Sequence, residues 1–136
     1  YHKELEEQLK GRMPENVKFM PFLKRMDLAY ACADLVVARA GAGTISELCL
    51  LGKAVVLVPS PNVAEDHQTK NAMALVNKDA AIMVSDKDAE QQLVTKALEV
   101  IHDDKRLAQL SSNIEQLAQH QSADRIVDEI VKIIEK

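Results

Sequence analysis

The amino-acid sequence predicts an α/β domain built on a doubly wound parallel sheet. Short apolar, β-branched runs alternate with segments of helical periodicity, and a glycine-rich turn stands directly between one such run and the helix that follows it. Size agrees with that expectation: 136 residues, 47% of them hydrophobic and 28% charged, suffice for one compact core without a disulfide or metal to staple it.

The elements follow in order. Tyr1 to Gly11 carries Leu5 and Leu9 at helical spacing and reads as the last turns of a helix, stopped by Gly11 and Pro14. Val17-Lys18-Phe19-Met20, bounded by Pro14 and Pro21, has the length and apolar character of a buried strand, and residues 24–33 look helical. Leu35-Val36-Val37-Ala38 is a continuous apolar run of the kind parallel strands show when helices cover both faces of their sheet. From Thr44 to Leu51 the positions Ile45, Leu48, Cys49 and Leu51 fit a helix, Gly52 suits its C-terminal cap, and Ala54 to Val58 forms the next strand. Beyond the loop Pro59-Ser60-Pro61-Asn62, residues 66–77 resume helical spacing and Ala81-Ile82-Met83-Val84 is a short strand. Helices over 88–101, 104–119 and 123–134 close the chain, opened by Asp88 or Ser85, by Asp103 and by Ser122. Ligands of such a fold sit outside the carboxyl ends of the strands, which singles out the turns 21–25, 39–44 and 59–67.

Composition narrows the function. A net charge of −4 leaves no basic surplus for a phosphate backbone, and 3% aromatic residues offer few platforms for bases, so nucleic acid is not an expected partner. No apolar run approaches the roughly 20 residues that span a bilayer, and no charged-then-apolar leader opens the sequence, so neither membrane integration nor secretion is expected. Cys32 and Cys49 lack the spacing of a redox or zinc pair and read as core thiols in a reducing compartment. The first residue is Tyr1, from which the chain is expected to begin inside a longer polypeptide.

The chemistry centres on Ala40-Gly41-Ala42-Gly43-Thr44-Ile45-Ser46-Glu47. Gly41 and Gly43, between a strand and a helix, let backbone amides approach a ligand, and a helix starting near Thr44 directs unsatisfied N–H groups and partial positive charge at the same spot. A phosphate is the natural guest, although neither a Walker lysine nor a full GxGxxG is present. Thr44 and Glu47 have the spacing of a capping box, yet Glu47 is equally placed to accept hydrogen bonds from ribose hydroxyls. A second polar cluster, Glu65-Asp66-His67-Gln68-Thr69-Lys70-Asn71-Ala72, opens the next helix beside the first. His67 has no second His or Cys nearby, so a metal site is not expected, and His2, His102 and His120 read as solvated helix residues. The alternating charges of the last three helices read as solvated faces.

The stretch from Phe19 to Leu75, with its glycine loop, its Ser46-Glu47 pair and its His67-Gln68-x-x-Asn71-Ala72 segment in that order, resembles the C-terminal domain of the MurG family, lipid-linked N-acetylglucosaminyltransferases of bacterial peptidoglycan synthesis. The resemblance covers about residues 16–134. It implies the Rossmann-like C-terminal half of a two-domain GT-B enzyme, with residues 1–136 forming part of the nucleotide-sugar-binding domain. The family's glycine-rich first strand-turn-helix and its N-terminal acceptor domain are missing from these residues. By the same resemblance the enzyme moves N-acetylglucosamine from UDP-N-acetylglucosamine to undecaprenyl-diphosphate-linked muramyl pentapeptide, inverting the anomeric centre, with no metal and no cofactor. It implies a peripheral location on the cytoplasmic face of the bacterial inner membrane, through the acceptor domain, and a part in cell-wall biogenesis, cell shape and division.

Carried over by position, the amides of Gly41, Ala42 and Gly43 and the hydroxyl of Thr44 would meet the diphosphate, and Glu47 the ribose. Leu23 would meet the uracil through its backbone, with Phe22 and Met26 nearby. His67 and Gln68 would contact the transferred sugar, with Asn71 beside them. No catalytic residue is expected in these 136 residues, since the base would lie in the acceptor domain, and the chain alone is expected to be inactive and to bind donor weakly. Where other members carry a serine and a larger apolar residue, this chain has Ala40 and Gly43, which predicts a more flexible loop. Two other readings stay open on the residues: a GT-B transferase using a different nucleotide sugar, and a non-catalytic nucleotide-binding module.

Overall fold

The structure, a computed structural model, describes residues 15–18, 20, 24–61 and 67–118. The chain divides into two compact units between Ala31 and Cys32. In the first, the expected strand at 17–20 does not form: Val17, Lys18 and Met20 belong to no strand, and Val17 and Met20 are 46% and 51% exposed. A four-residue run with three apolar members, bounded by prolines, satisfies a strand's local pattern, but burial is decided by tertiary partners and not by the run itself. Phe19, Phe22, Leu23 and the helix expected before Gly11 lie outside the described residues. Helix α1, Met26–Cys32, falls within the expected span, and Asp27 in its first turn accepts from Arg25 Nε and Nη2 at 3.1 and 2.9 Å.

The second unit carries a parallel sheet of strands β1 (Val36–Ala38), β2 (Val55–Leu57) and β3 (Ile82–Met83), in the spatial order β1-β2-β3. Val36, Val37 and Ala38 face Val55, Val56 and Leu57 in register, and Val56 and Leu57 face Ile82 and Met83. Each crossover is a helix, α2 (Ala42–Leu51) and then α3 (His67–Val76), as parallel neighbours require. Helix α4 (Asp86–Ile101) follows β3, and residues 104–118 form α5. The expected strand-helix order is thus the observed one from β1 onward. The helix expected over 123–134, with Ser122, lies outside the described residues.

Residues 54–59 are all buried, so β2 is covered on both faces. Alternation divides them: Ala54, Val56 and Val58 face one side, where Ala54 packs with Val100 and Leu110, and Val56 and Val58 pack with Val84, Ala89 and Leu93. Val55 and Leu57, fully buried, face the other side. Helices α2 and α3 touch each other and bury Ile45, Leu48, Cys49, Ala72 and Leu75. Cys49 is therefore a core thiol as expected, and burial pushes its pKa up. Cys32 is exposed, against expectation: it closes the one-sided helix α1 on the face that α1 does not bury.

Helix ends are defined by their caps. Ser85 is the N-cap of α4 without a side-chain capping bond, its hydroxyl instead donating to the Asp88 carboxylate at 2.7 Å, and Asp103 opens α5 by accepting from the Arg106 amide at 3.1 Å. The turn after α3 holds Asp79 at φ +54°, and its carboxylate pairs with Arg106 at 2.9 Å while Asn113 donates to its carbonyl at 2.8 Å. The Arg106 guanidinium holds the Asp79 carboxyl below the usual carboxylate range. Helix α2 ends as expected at Gly52, which is left-handed at φ +62°, ψ +39°, with its amide on Cys49 and Leu48. A Cβ there would meet Glu115 at 3.4 Å as well as adopting a strained φ. Gly52→Ala is expected to lower stability by about 1 kcal/mol or more, seen as a fall in Tm with an unchanged circular-dichroism spectrum. Among the described residues no helix is long and apolar enough to cross a membrane.

Candidate functional site

The parallel register sends the turns after β1, β2 and β3 to one edge of the sheet, where the N-termini of α2, α3 and α4 also lie. The first of these differs in detail from the sequence reading. Helix α2 starts at Ala42 and not near Thr44, with Gly41 as its N-cap in extended conformation and no side-chain cap. Thr44 is therefore inside the first turn, and the Thr44–Glu47 capping box does not form. Glycine tolerates the N-cap conformation nearly as well as the hydroxylic residues do, so the apolar spacing could continue two residues further back than Thr44 suggests.

The first helical hydrogen bond runs from the Ile45 amide to Gly41 O at 3.0 Å. The amides of Ala42, Gly43 and Thr44 thus precede the helical ladder and carry the positive end of its dipole. A Cβ built on Gly43 meets nothing within 4 Å, so the space beside Gly43 is open. Ala40 is fully buried and Gly43 lies in the first turn of α2. Glu47 lies one turn beyond Gly43 on the same helix and is exposed.

Gln68 and Asn71, one turn apart on α3, hold the turn after β1 in place. Gln68 Oε1 accepts from the Ala40 amide at 3.2 Å and from the Ser60 amide at 2.7 Å, and Asn71 Nδ2 donates to Ala40 O at 3.1 Å. Both polar groups of the buried Ala40 backbone are therefore paired by α3 side chains. Two amide donors on one carboxamide oxygen also fix which way the group points. Its Nε2 then lies on the Gly41 side, 4.0 Å from where a Gly41 Cβ would stand. His67 is exposed at the first position of α3.

Arg39 is a site residue that the sequence reading did not assign. Its Nη1 donates to Asp86 Oδ1 at 2.6 Å and lies 3.3 and 3.5 Å from the carbonyls of Val58 and Pro59. The available signal was a lone charge placed directly after an apolar strand run, at the carboxyl end where ligand turns begin. A cavity of about 270 Å³ on the same edge is lined by Pro59, Pro61, Thr69, Met83, Ser85 and Lys87. A larger cleft of about 460 Å³ lies among Val76, Asp79, Ala81, Val100 and Arg106, where α3 and α4 end and β3 begins. That is the opposite edge of the sheet, away from the helix N-termini. Leu23, expected beside a base, lies outside the described residues, as do Glu65 and Asp66.

A parallel α/β sheet thus gathers a glycine turn, helix-terminal amides and convergent carboxamides on its carboxyl edge, where doubly wound sheets hold their ligands. Comparison with known proteins gives the class: the chain belongs to the glycosyltransferase family 28 C-terminal domain, whose model matches residues 1–129. It is 65% identical, over all of its 136 residues, to the UDP-N-acetylglucosamine--N-acetylmuramyl-(pentapeptide) pyrophosphoryl-undecaprenol N-acetylglucosamine transferase of Parabacteroides distasonis, covering 37% of that protein. The protein of the same name from Bacteroides fragilis is 54% identical over 138 residues, with 36% of its length covered. Among solved structures, the crystal structure of Acinetobacter baumannii MurG matches 95% of this chain and 40% of its own, at 31% identity and a TM-score of 0.77. The chain therefore spans little more than a third of the curated relatives it matches, and its fold is that of the Rossmann-like C-terminal half.

Proposed function

We propose that this chain supplies the donor site of an inverting N-acetylglucosaminyltransferase that uses UDP-N-acetylglucosamine and a lipid-linked muramyl pentapeptide acceptor. The observation that carries the reading is the first turn of α2, where the amides of Ala42, Gly43 and Thr44 precede the helical ladder and a Cβ on Gly43 would meet nothing within 4 Å, within a chain 65% identical to a transferase of that name. In this reading the turn from Gly41 and the Thr44 hydroxyl bind the diphosphate, and Glu47 accepts from the ribose. His67, Gln68 and Asn71 face the transferred sugar, and Leu23 meets the uracil. The acceptor hydroxyl oxygen attacks the anomeric carbon, the bond from that carbon to the diphosphate breaks, and UDP leaves with the electron pair. The hydroxyl proton goes to a base in the acceptor domain of the full-length protein.

Charge builds on the departing diphosphate as that bond breaks, so a preorganised helix terminus stabilises the transition state more than the ground state. No metal is needed for this if the amides and the dipole carry the charge. The full-length enzyme then works peripherally at the cytoplasmic face of the inner membrane, where its lipid-linked acceptor lies, and serves cell-wall growth, shape and division. The test is turnover by the full-length protein with a lipid-linked muramyl pentapeptide, offered UDP-N-acetylglucosamine and UDP-glucose in competition. Preferential transfer of N-acetylglucosamine in the presence of a chelator is the expected result. Preference for UDP-glucose would make it a GT-B transferase of different donor, and no transfer from either would favour a non-catalytic nucleotide-binding module.

A further inference from the structure

We propose that Arg39 is a positioning residue for the donor diphosphate, acting with Asp86 as a clamp that fixes the Gly41 turn and the N-terminus of α2. The inference rests on the donor-site reading above. Arg39 follows β1 directly and stands two residues before the N-cap of α2. Its Nη1 donates to Asp86 Oδ1 at 2.6 Å, in the first turn of α4, and faces the carbonyls of Val58 and Pro59 in the turn after β2. One guanidinium thus joins the turns that follow all three strands. Gln68 joins the first two a second time, through the amides of Ala40 and Ser60.

Each anchor has its own support. Asp86 sits where the α4 dipole favours a carboxylate, next to the Ser85 cap, so the acceptor for Arg39 is held on a helix and not on a loop. Arg39 and Asp86 side chains are 55% and 38% exposed, and a pair so exposed contributes little to global stability. Its effect is therefore local. The directions of the Ala42, Gly43 and Thr44 amides follow from the backbone of residues 39–41, and small misplacements of such donors are costly in rate.

The experiment is a double-mutant cycle in the full-length protein, with Arg39→Ala, Asp86→Asn and both together, plus Arg39→Lys. Steady-state rates with UDP-N-acetylglucosamine and the lipid-linked acceptor are read alongside Tm. The expected result for Arg39→Ala is a fall in kcat of about tenfold with donor KM changed by less than about threefold and Tm nearly unchanged. Asp86→Asn shifts kcat in the same direction by less, Arg39→Lys is intermediate, and the double variant is no worse than Arg39→Ala.

Additive losses in the double variant would overturn the clamp, as would a damaging Arg39→Ala beside a neutral Asp86→Asn, which would make Arg39 a direct ligand of the diphosphate. A fall in Tm with kcat intact would also overturn it, leaving a structural ion pair. If Arg39→Ala fails to fold, Asp86→Asn and Arg39→Lys decide by the same criteria. Wild-type protein that binds no UDP-sugar would remove the donor-site reading itself, and the clamp with it; wild-type binding with uncoupled variants removes only the clamp.

Discussion

Gln68→Ala is expected to lose about 1–3 kcal/mol of stability and most donor binding together, because it strands the backbone amide of the buried Ala40 and removes a tie to Ser60. Gln68 Oε1 is the acceptor for Ala40, which is fully buried, and for Ser60. A buried donor left without a partner costs about 1–3 kcal/mol, more than the net worth of the bond it lost. The side chain is too short in alanine for another group on α3 to replace it, and the turn before Gly41 loses one of its ties. Gln68→Glu separates the two roles. It keeps the accepting oxygens, so Tm is expected to stay within a few degrees of wild type, but it replaces the Nε2 donors with negative charge on the Gly41 side. Binding of UDP-N-acetylglucosamine by that variant should weaken by about tenfold or more, since the new charge faces the proposed diphosphate. Equal loss of Tm in both variants would assign Gln68 to the scaffold alone.

Glu47→Ala carries the second large effect, and here the loss of binding is expected to exceed any loss of stability. In a capping box the substitution would expose backbone donors and lower stability by about 1 kcal/mol. Helix α2 is capped at Gly41, with Thr44 already within the first turn, so Glu47 holds no such place. Alanine is also the best helix former, so helix propensity does not itself lower Tm. A carboxylate accepting from ribose hydroxyls is worth about 1.5–3 kcal/mol, or roughly ten- to a hundredfold in Kd. Thermal melts of the two proteins without ligand check the first half of this.

Much of the sheet was legible because its signals are local. Leu35 to Ala38 and Ala54 to Val58 are apolar runs of the kind parallel strands show, although only the second is buried throughout and Val37 in β1 is 45% exposed, and Gly52 marks a left-handed cap that few other residues tolerate. Boundaries set by competing local choices were less so. Thr44 and Gly41 are about equal as caps in isolation, so spacing alone did not choose between them and the helix begins at Ala42, while Ser85 is the N-cap of α4 with Asp88 as its partner. The strand expected at 17–20 and the buried Cys32 failed for one reason: apolar neighbours in sequence do not specify which face meets a partner.

The site divides the same way. Gly41, Gly43 and Glu47 announce themselves by spacing along one turn and helix. The ties that hold them come from 28 residues away for Gln68 on Ala40 and 47 residues away for Arg39 on Asp86. Such pairs exist only once β1, β2 and β3 are in register, so no pattern along the chain points from one member to the other. The side-chain amide of Gln68 was expected at the sugar, and the structure adds that its oxygen is already committed to the backbone.

The most direct measurement is titration calorimetry of the full-length protein with UDP, UDP-N-acetylglucosamine and UDP-glucose, for wild type and Glu47→Ala. The donor-site account predicts that wild type binds UDP and UDP-N-acetylglucosamine and that Glu47→Ala weakens all three ligands by a similar factor, because the ribose is common to them. Unchanged affinities in Glu47→Ala, with a lower melting temperature, would contradict it and move the nucleotide away from the first turns of α2.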